Sequence, residues 1–121
     1  MTTQIGQFKF VNIFAGEMYR STKSVTLAAG RIYPAGSVLA LNSAGESTLV
    51  DSGAEGSLSI PDSVLADEVD ATESTAVGVG YATGEFNRTA LTFGGSDTWE
   101  THASTARGVG LFFLPVSQLP E

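Results

Sequence analysis

Few side chains in this 121-residue chain are suited to chemistry, and their spacing narrows the choice further. His102 is the sole histidine, and cysteine is absent. An imidazole beside a serine nucleophile would make an acyl-transfer site, but no G-x-S-x-G elbow surrounds any serine. Without cysteine there is no thiolate nucleophile, disulfide framework or thiolate zinc site. Asp97 and Glu100 stand three residues apart, the spacing of a helix capping box, and capping accounts for them before catalysis does. Asp67, Glu68, Asp70 and Glu73 crowd together, yet they lack the glycine at six and glutamate at twelve of a calcium loop. They read as a solvated acidic loop. Gly78, Gly80 and Gly84 form neither a G-x-G-x-x-G turn nor a phosphate loop with its lysine. Thirteen serines and thirteen threonines could hydrogen-bond a sugar, but seven Phe against three Tyr and one Trp suggest core rather than sugar platforms. No catalytic, cofactor-binding or metal residue is expected, and neither is an enzyme.

The elements that would position these residues are mostly strands. "VTLAAGRIYPAGSVLAL" reads as two short apolar runs broken at AAG and at PAG. Tyr33 precedes a proline and is pushed toward extended backbone. Pro34 suits the second position of a type I turn, with Gly36 closing it. A tight hairpin of Arg31–Tyr33 with Ser37–Asn42 is therefore predicted, with Val25–Leu27 a separate strand upstream. "NSAGES" is a polar turn, "TLVD" a short returning strand, and Leu58–Ile60 a brief strand within a Gly/Ser/Pro-rich loop. "AVGVGYA" alternates Val77, Val79 and Tyr81 with Ala76, Gly78, Gly80 and Ala82, so one face is nearly bare of side chains. Paired glycines in a strand mark close approach by a neighbour. Phe86, Leu91 and Phe93 follow as core candidates in extended chain.

"GGSDTWETHASTARG" is the one predicted helix. Asp97 would cap it, Arg107 favours its last turn, and Gly108 would end it. Trp99, Ala103 and Ala106 form a narrow apolar stripe that could lie on the bare face of 76–82. His102 would then occupy an exposed or half-exposed face, in an incidental role. "VGLFFLP" closes the chain as an apolar strand stopped by Pro115. The fold expected is mainly β, barrel- or sandwich-like, with one late helix.

Residues 1–21 stand apart as an extended N-terminal arm ahead of a single domain, 22–121. The arm is rich in apolar residues, but Gly6 and Gly16 interrupt it and no helical period is sustained. Within it, Phe8, Phe10 and Asn12 alternate with Lys9, Val11 and Ile13 on the two faces of a strand. Such a segment suits strand addition to a sheet edge, in the same molecule or in a partner. Residues 1–31 carry four basic residues against Glu17, a net +3. Residues 32–121 carry two arginines against twelve carboxylates, a net −10, within an overall charge of −7. An acidic body argues against nucleic acid as a direct partner. No apolar run reaches membrane-spanning length and the N-terminus lacks a secretory pattern, so a soluble protein made in the cytoplasm is expected.

The order of several phrases is similar to that in the lambda-type head decoration proteins of tailed bacteriophages. These are "NIFAGEMYRSTKSVTLAAGRIYPAGSVLALNSAGESTLVD", "IPDSVLADEVDAT", "VGVGYATGEFNRTALTF" and the final helix with "ARGVGLFF", spanning Asn12 to Phe113. The resemblance implies a small β-rich fold of β-tulip or β-clip type with one helix. It implies homotrimeric pegs on the outside of the phage head at three-fold positions. Their partner would be the major capsid (coat) protein, which they cement against internal DNA pressure, without cofactor or membrane. It also makes the arm, with Phe8, Phe10, Val11, Ile13 and Phe14, the candidate capsid contact. The alternative function is a small carbohydrate- or host-surface-binding module of a virion, which exposed aromatic rings on a rigid face would favour.

Overall fold

The computed structural model describes residues 20–115. Strands β1 (Thr22–Leu27), β2 (Arg31–Tyr33), β3 (Val38–Leu41), β4 (Ser47–Leu49), β5 (Ser63–Leu65), β6 (Val69–Ala71), β7 (Ala76–Tyr81) and β8 (Gly84–Asn87) precede helix α1 (Trp99–Gly108) and strand β9 (Leu111–Leu114). Strands β1-β4-β3-β5-β7 close into a barrel in that order, flanked by two-stranded sheets β2-β6 and β8-β9. The architecture is mainly β with one late helix, as the sequence suggests.

The longest ladder joins β1 to β7, antiparallel from Thr22 opposite Tyr81 to Leu27 opposite Ala76. Alternation decides which side faces in. Val25 and Leu27 are buried, while Thr22, Ser24 and Thr26 are exposed. On β7 the bare face turns inward: a Cβ on Gly78 would meet Val69 Cγ2 at 2.8 Å, and one on Gly80 would meet Ser63 Oγ at 3.1 Å. Side chains from β1, β5 and β6 therefore fill the space the glycines leave. The helix does not lie there, contrary to the expectation from its alanine stripe; α1 instead joins the residues around β8 and β9.

The core divides in two. Val25, Leu27, Tyr33, Leu39, Leu49, Leu65 and Ala71 fill one end of the barrel. Val38, Ala40, Val50, Val64, Phe86, Ala106, Leu111 and Phe113 form the other cluster, with Leu91, Phe93 and Trp99 packed against it. Strand β3 serves both, because Leu39 points one way while Val38 and Ala40 point the other. The apolar runs at 38–41 and 111–114 thus supply this chain's own core, with Val38, Leu39, Ala40 and Leu111 fully buried.

The predicted hairpin of β2 with β3 does not form. β2 pairs antiparallel with β6, and β3 pairs with β4 and β5. The turn between them is real but shifted by one residue: Ser37 N–H donates to the Pro34 carbonyl at 3.1 Å, and Gly36 has φ 87°. Pro34 therefore opens the turn rather than sitting second in it. The backbone of 36–38 is then claimed by a distant segment, since Val38 N–H donates to Thr92 O and Thr92 N–H to Gly36 O. Leu58–Ile60 is likewise no strand; Gly56–Ser59 forms a 3₁₀ turn. The "NSAGES" turn and its returning strand stand as expected, with Asn42 Oδ1 accepting from the Ala44 and Glu46 amides.

Candidate functional site

Among the residues singled out for chemistry, His102 departs furthest from expectation. It is buried, at 2% exposure, rather than lying on an open helix face. Its ring stacks on Phe93 with centroids 5.6 Å apart and planes 7° from parallel. Its Nε2 lies 2.7 Å from Asp97 Oδ2. The same carboxylate accepts from the Ser52 amide at 2.6 Å and from the Ser52 hydroxyl at 2.7 Å. Burial pushes the Asp97 carboxyl upward, but the hydrogen bonds from Ser52 and His102 outweigh it and leave the group below its ordinary value. An ionised carboxylate only accepts, so Nε2 carries the proton in this pair.

Asp97 is therefore not the helix cap. Thr98 takes that position, and its N–H donates to Thr101 Oγ1 at 3.1 Å. Gly108 is the last helical residue, and the positive φ falls on Gly110 at 92°. Asp97 instead ties α1 to the loop after β4, bridging positions 45 residues apart. Nothing in the sequence spacing signals such a link.

Serine, aspartate and histidine are thus brought together, but in the wrong order for nucleophilic catalysis. In a triad the hydroxyl bonds the imidazole, and the carboxylate holds the far side of the ring. Here the Ser52 hydroxyl bonds the carboxylate. The arrangement holds two elements together and activates no oxygen. The acidic residues Asp67, Glu68, Asp70 and Glu73 are exposed. Thr72 donates through its amide and hydroxyl to Asp70 and lowers that carboxyl below its ordinary value. No group of His, Asp and Glu able to hold a metal ion occurs among the described residues.

The outer surface offers contact rather than chemistry. Val77 and Val79 are 71% and 49% exposed on β7. They face Thr26 and Ser24 across the ladder, so this side of the β1-β7 ribbon bears no charge. The sequence shows the alternation but not which side meets water. Trp99 is half-buried, and the Arg88 guanidinium lies over it, 4.1 Å from the ring centroid. That face is covered, which counts against an open sugar platform.

The candidate arm residues Phe8, Phe10, Val11, Ile13 and Phe14 lie outside the described residues. A comparison of sequences reaches most of them: residues 9–110 match the family model for the bacteriophage lambda head decoration protein D. The chain belongs to that family. No curated protein matches it. As a head decoration protein it is a component of the phage head, and the match takes in the barrel, the helix and residues 9–21 before them. No helix among the described residues is long and apolar enough to cross a membrane.

Proposed function

We propose that this head decoration protein is a structural cement, with its arm as the anchor. Trimers sit on the outer face of the expanded head at three-fold positions, and each bridges neighbouring coat subunits against the pressure of packaged DNA. The observation that carries this reading is the family match over residues 9–110. Two features of the chain support it. The barrel carries a Ser52-Asp97-His102 cluster that joins elements and activates no nucleophile. The segment from Phe8 to Phe14 would carry apolar side chains on both faces of a strand, suited to adding to a sheet of coat protein. Burying Phe8 and Phe10 there contributes about 1.5–3 kcal/mol each. Three arms on one peg multiply that through effective concentration.

Sedimentation with purified shells, before and after expansion, tests the reading. The full chain should co-sediment with expanded shells and raise their resistance to heat, and deletion of residues 1–14 should abolish both effects. A deletion variant that binds as tightly as the full chain would move the anchor to the acidic body. A mass of one chain, both on the shell and in concentrated solution, would remove the trimer.

A further inference from the structure

Three buried side-chain oxygens make no hydrogen bond among the described residues: Ser47 Oγ, Asp62 Oδ2 and Ser63 Oγ. All three lie along one seam, which divides the barrel into two bodies. One is a long bent ribbon. Its β1-β7 ladder of six pairs runs on, past the connections 28–30 and 72–75, into the three pairs of β2-β6. The other is the sheet β4-β3-β5. Ribbon and sheet share only Leu27 opposite Ser47 on one flank, and Val64 opposite Tyr81 with Leu65 opposite Gly80 on the other. Ser47 stands at the first contact. Ser63 stands at the second, its Oγ 3.1 Å from where a Gly80 Cβ would be. Lys23 follows the inward alternation of Val25 and Leu27, and its Nζ reaches 2.8 Å from Asp62 Oδ2, just ahead of β5.

The two core clusters divide along the same line. Val25, Leu27, Tyr33 and Ala71 of the ribbon pack on Leu39, Leu49 and Leu65 of the sheet, so that cluster is the contact between the bodies. The cluster around Phe86 and Leu111 takes only half-buried Tyr81 from the ribbon.

We propose that the ribbon opens from the sheet as one unit, latched by Lys23 and Asp62, while the helix-capped cluster stays folded. A buried hydroxyl without a partner weakens the closed state and regains its hydrogen bonds in water, so Ser47 and Ser63 favour parting along this line. The three pairs of the seam are split between two flanks, whereas the ladder inside the ribbon is continuous. The ion pair opposes opening, and with side chains 39% and 24% exposed it is a modest latch. The protein thereby has a state between folded and unfolded, with one core open and the other intact. This inference goes beyond the cementing role and does not require it.

Residue-resolved amide exchange on the free protein under native conditions tests this. The Ala28 and Ala66 amides donate across the seam, to Ser47 O and Val79 O. Those of Val38 and Val50 donate on the helix-capped side, to Thr92 O and Val38 O. Ala28 and Ala66 should be protected about tenfold less than Val38 and Val50, and equally with each other, because one opening frees both. Lys23→Met keeps the stem and removes the ammonium; it should speed Ala28 and Ala66 about fivefold and leave Val38 and Val50 unchanged. Ser63→Ala should act in the opposite sense and slow both, since the closed state then buries no unmade bond there. It also covers the case in which the Lys23 variant fails to fold. Equal protection of all four amides would overturn the proposal, because the barrel would then open only with the whole fold. So would a Lys23→Met effect confined to Ala28, which would be fraying of one strand, or faster seam exchange in Ser63→Ala.

Discussion

The two ends of the barrel are filled by similar residues but sealed by different means. The cluster around Leu27, Tyr33, Leu39 and Leu65 is closed by strand ladders and by glycines that let side chains from β1, β5 and β6 approach β7. The cluster around Phe86, Leu111 and Phe113 is closed by α1, an element from late in the chain. A helix laid over a barrel end needs something to fix its position, and here the tie is polar: Ser52, Asp97 and His102. The first end depends on the absence of atoms, and the second on the presence of a buried charge and its partners. Their failures should therefore differ in size, pH dependence and cause.

The largest expected effect lies in the helix-capped end. Phe86 is fully buried and sits between β9 and the Tyr81 ring, 6.0 Å from the latter's centroid. Phe86→Ala removes a ring from the centre of the cluster and should cost about 3–5 kcal/mol. Urea unfolding reads that directly. A loss under about 1 kcal/mol would mean the helix can collapse into the space and is not fixed by its tie.

His102→Ala should come next, at about 2–3 kcal/mol, because it removes a packed ring and leaves one carboxylate bond unmade. The same tie makes this end sensitive to acid. Asp97 is held below its ordinary value of 3.8 in the folded protein. A carboxyl of lowered folded value stabilises above the unfolded value and stops doing so as pH falls through the folded one. Stability should therefore drop below about pH 4 in the native chain, with the Phe93 and α1 signals shifting first. Asp97→Asn should be less stable at neutral pH and should flatten that part of the profile. An unchanged acid limb in Asp97→Asn would assign the acid sensitivity to other carboxylates.

These predictions differ in how far the sequence anticipates them. Strands at 25–27, 76–81 and 111–114, the Asn42 turn and the late helix are all legible, because alternation, turn residues and caps are local. The partner of β2 is not. Consecutive strands pair often enough that a turn at Pro34 suggests a hairpin. Here the backbone of Gly36 and Val38 is taken by Thr92, and that choice depends on residues far along the chain. The burial of His102 was hidden for the same reason. Its helix carries a weak apolar stripe, and Asp97, the partner that makes burial of the polar ring tolerable, is itself held by Ser52 from 45 residues away. For the candidate contact surfaces the limit is different. The two faces of β7 are visible in the alternation, but only the closed barrel decides that Val77 and Val79 look outward.

The smallest effect sharpens the comparison most, because it tests the end that relies on missing atoms. Gly78→Ala adds one methyl whose carbon would stand 2.8 Å from Val69 Cγ2 and 3.4 Å from both Leu27 Cδ2 and Leu65 Cδ1. Only the first distance forces a movement. Val69 is half-buried and sits on β6, a strand that pairs with β2 rather than with the barrel, so it has room to yield. Valine is stiff about χ1, however, and in a strand a rotamer change has its own cost. The expected loss is about 1–2 kcal/mol, as overpacking of a single site commonly gives. Val69→Ala removes the obstructing methyl, so the double variant Gly78→Ala/Val69→Ala should lose less than the sum of the two single variants by about 0.5–1 kcal/mol. Strict additivity would mean that the alanine is resisted by Leu27 and Leu65 instead, and that the glycine face is set by the barrel ladder itself.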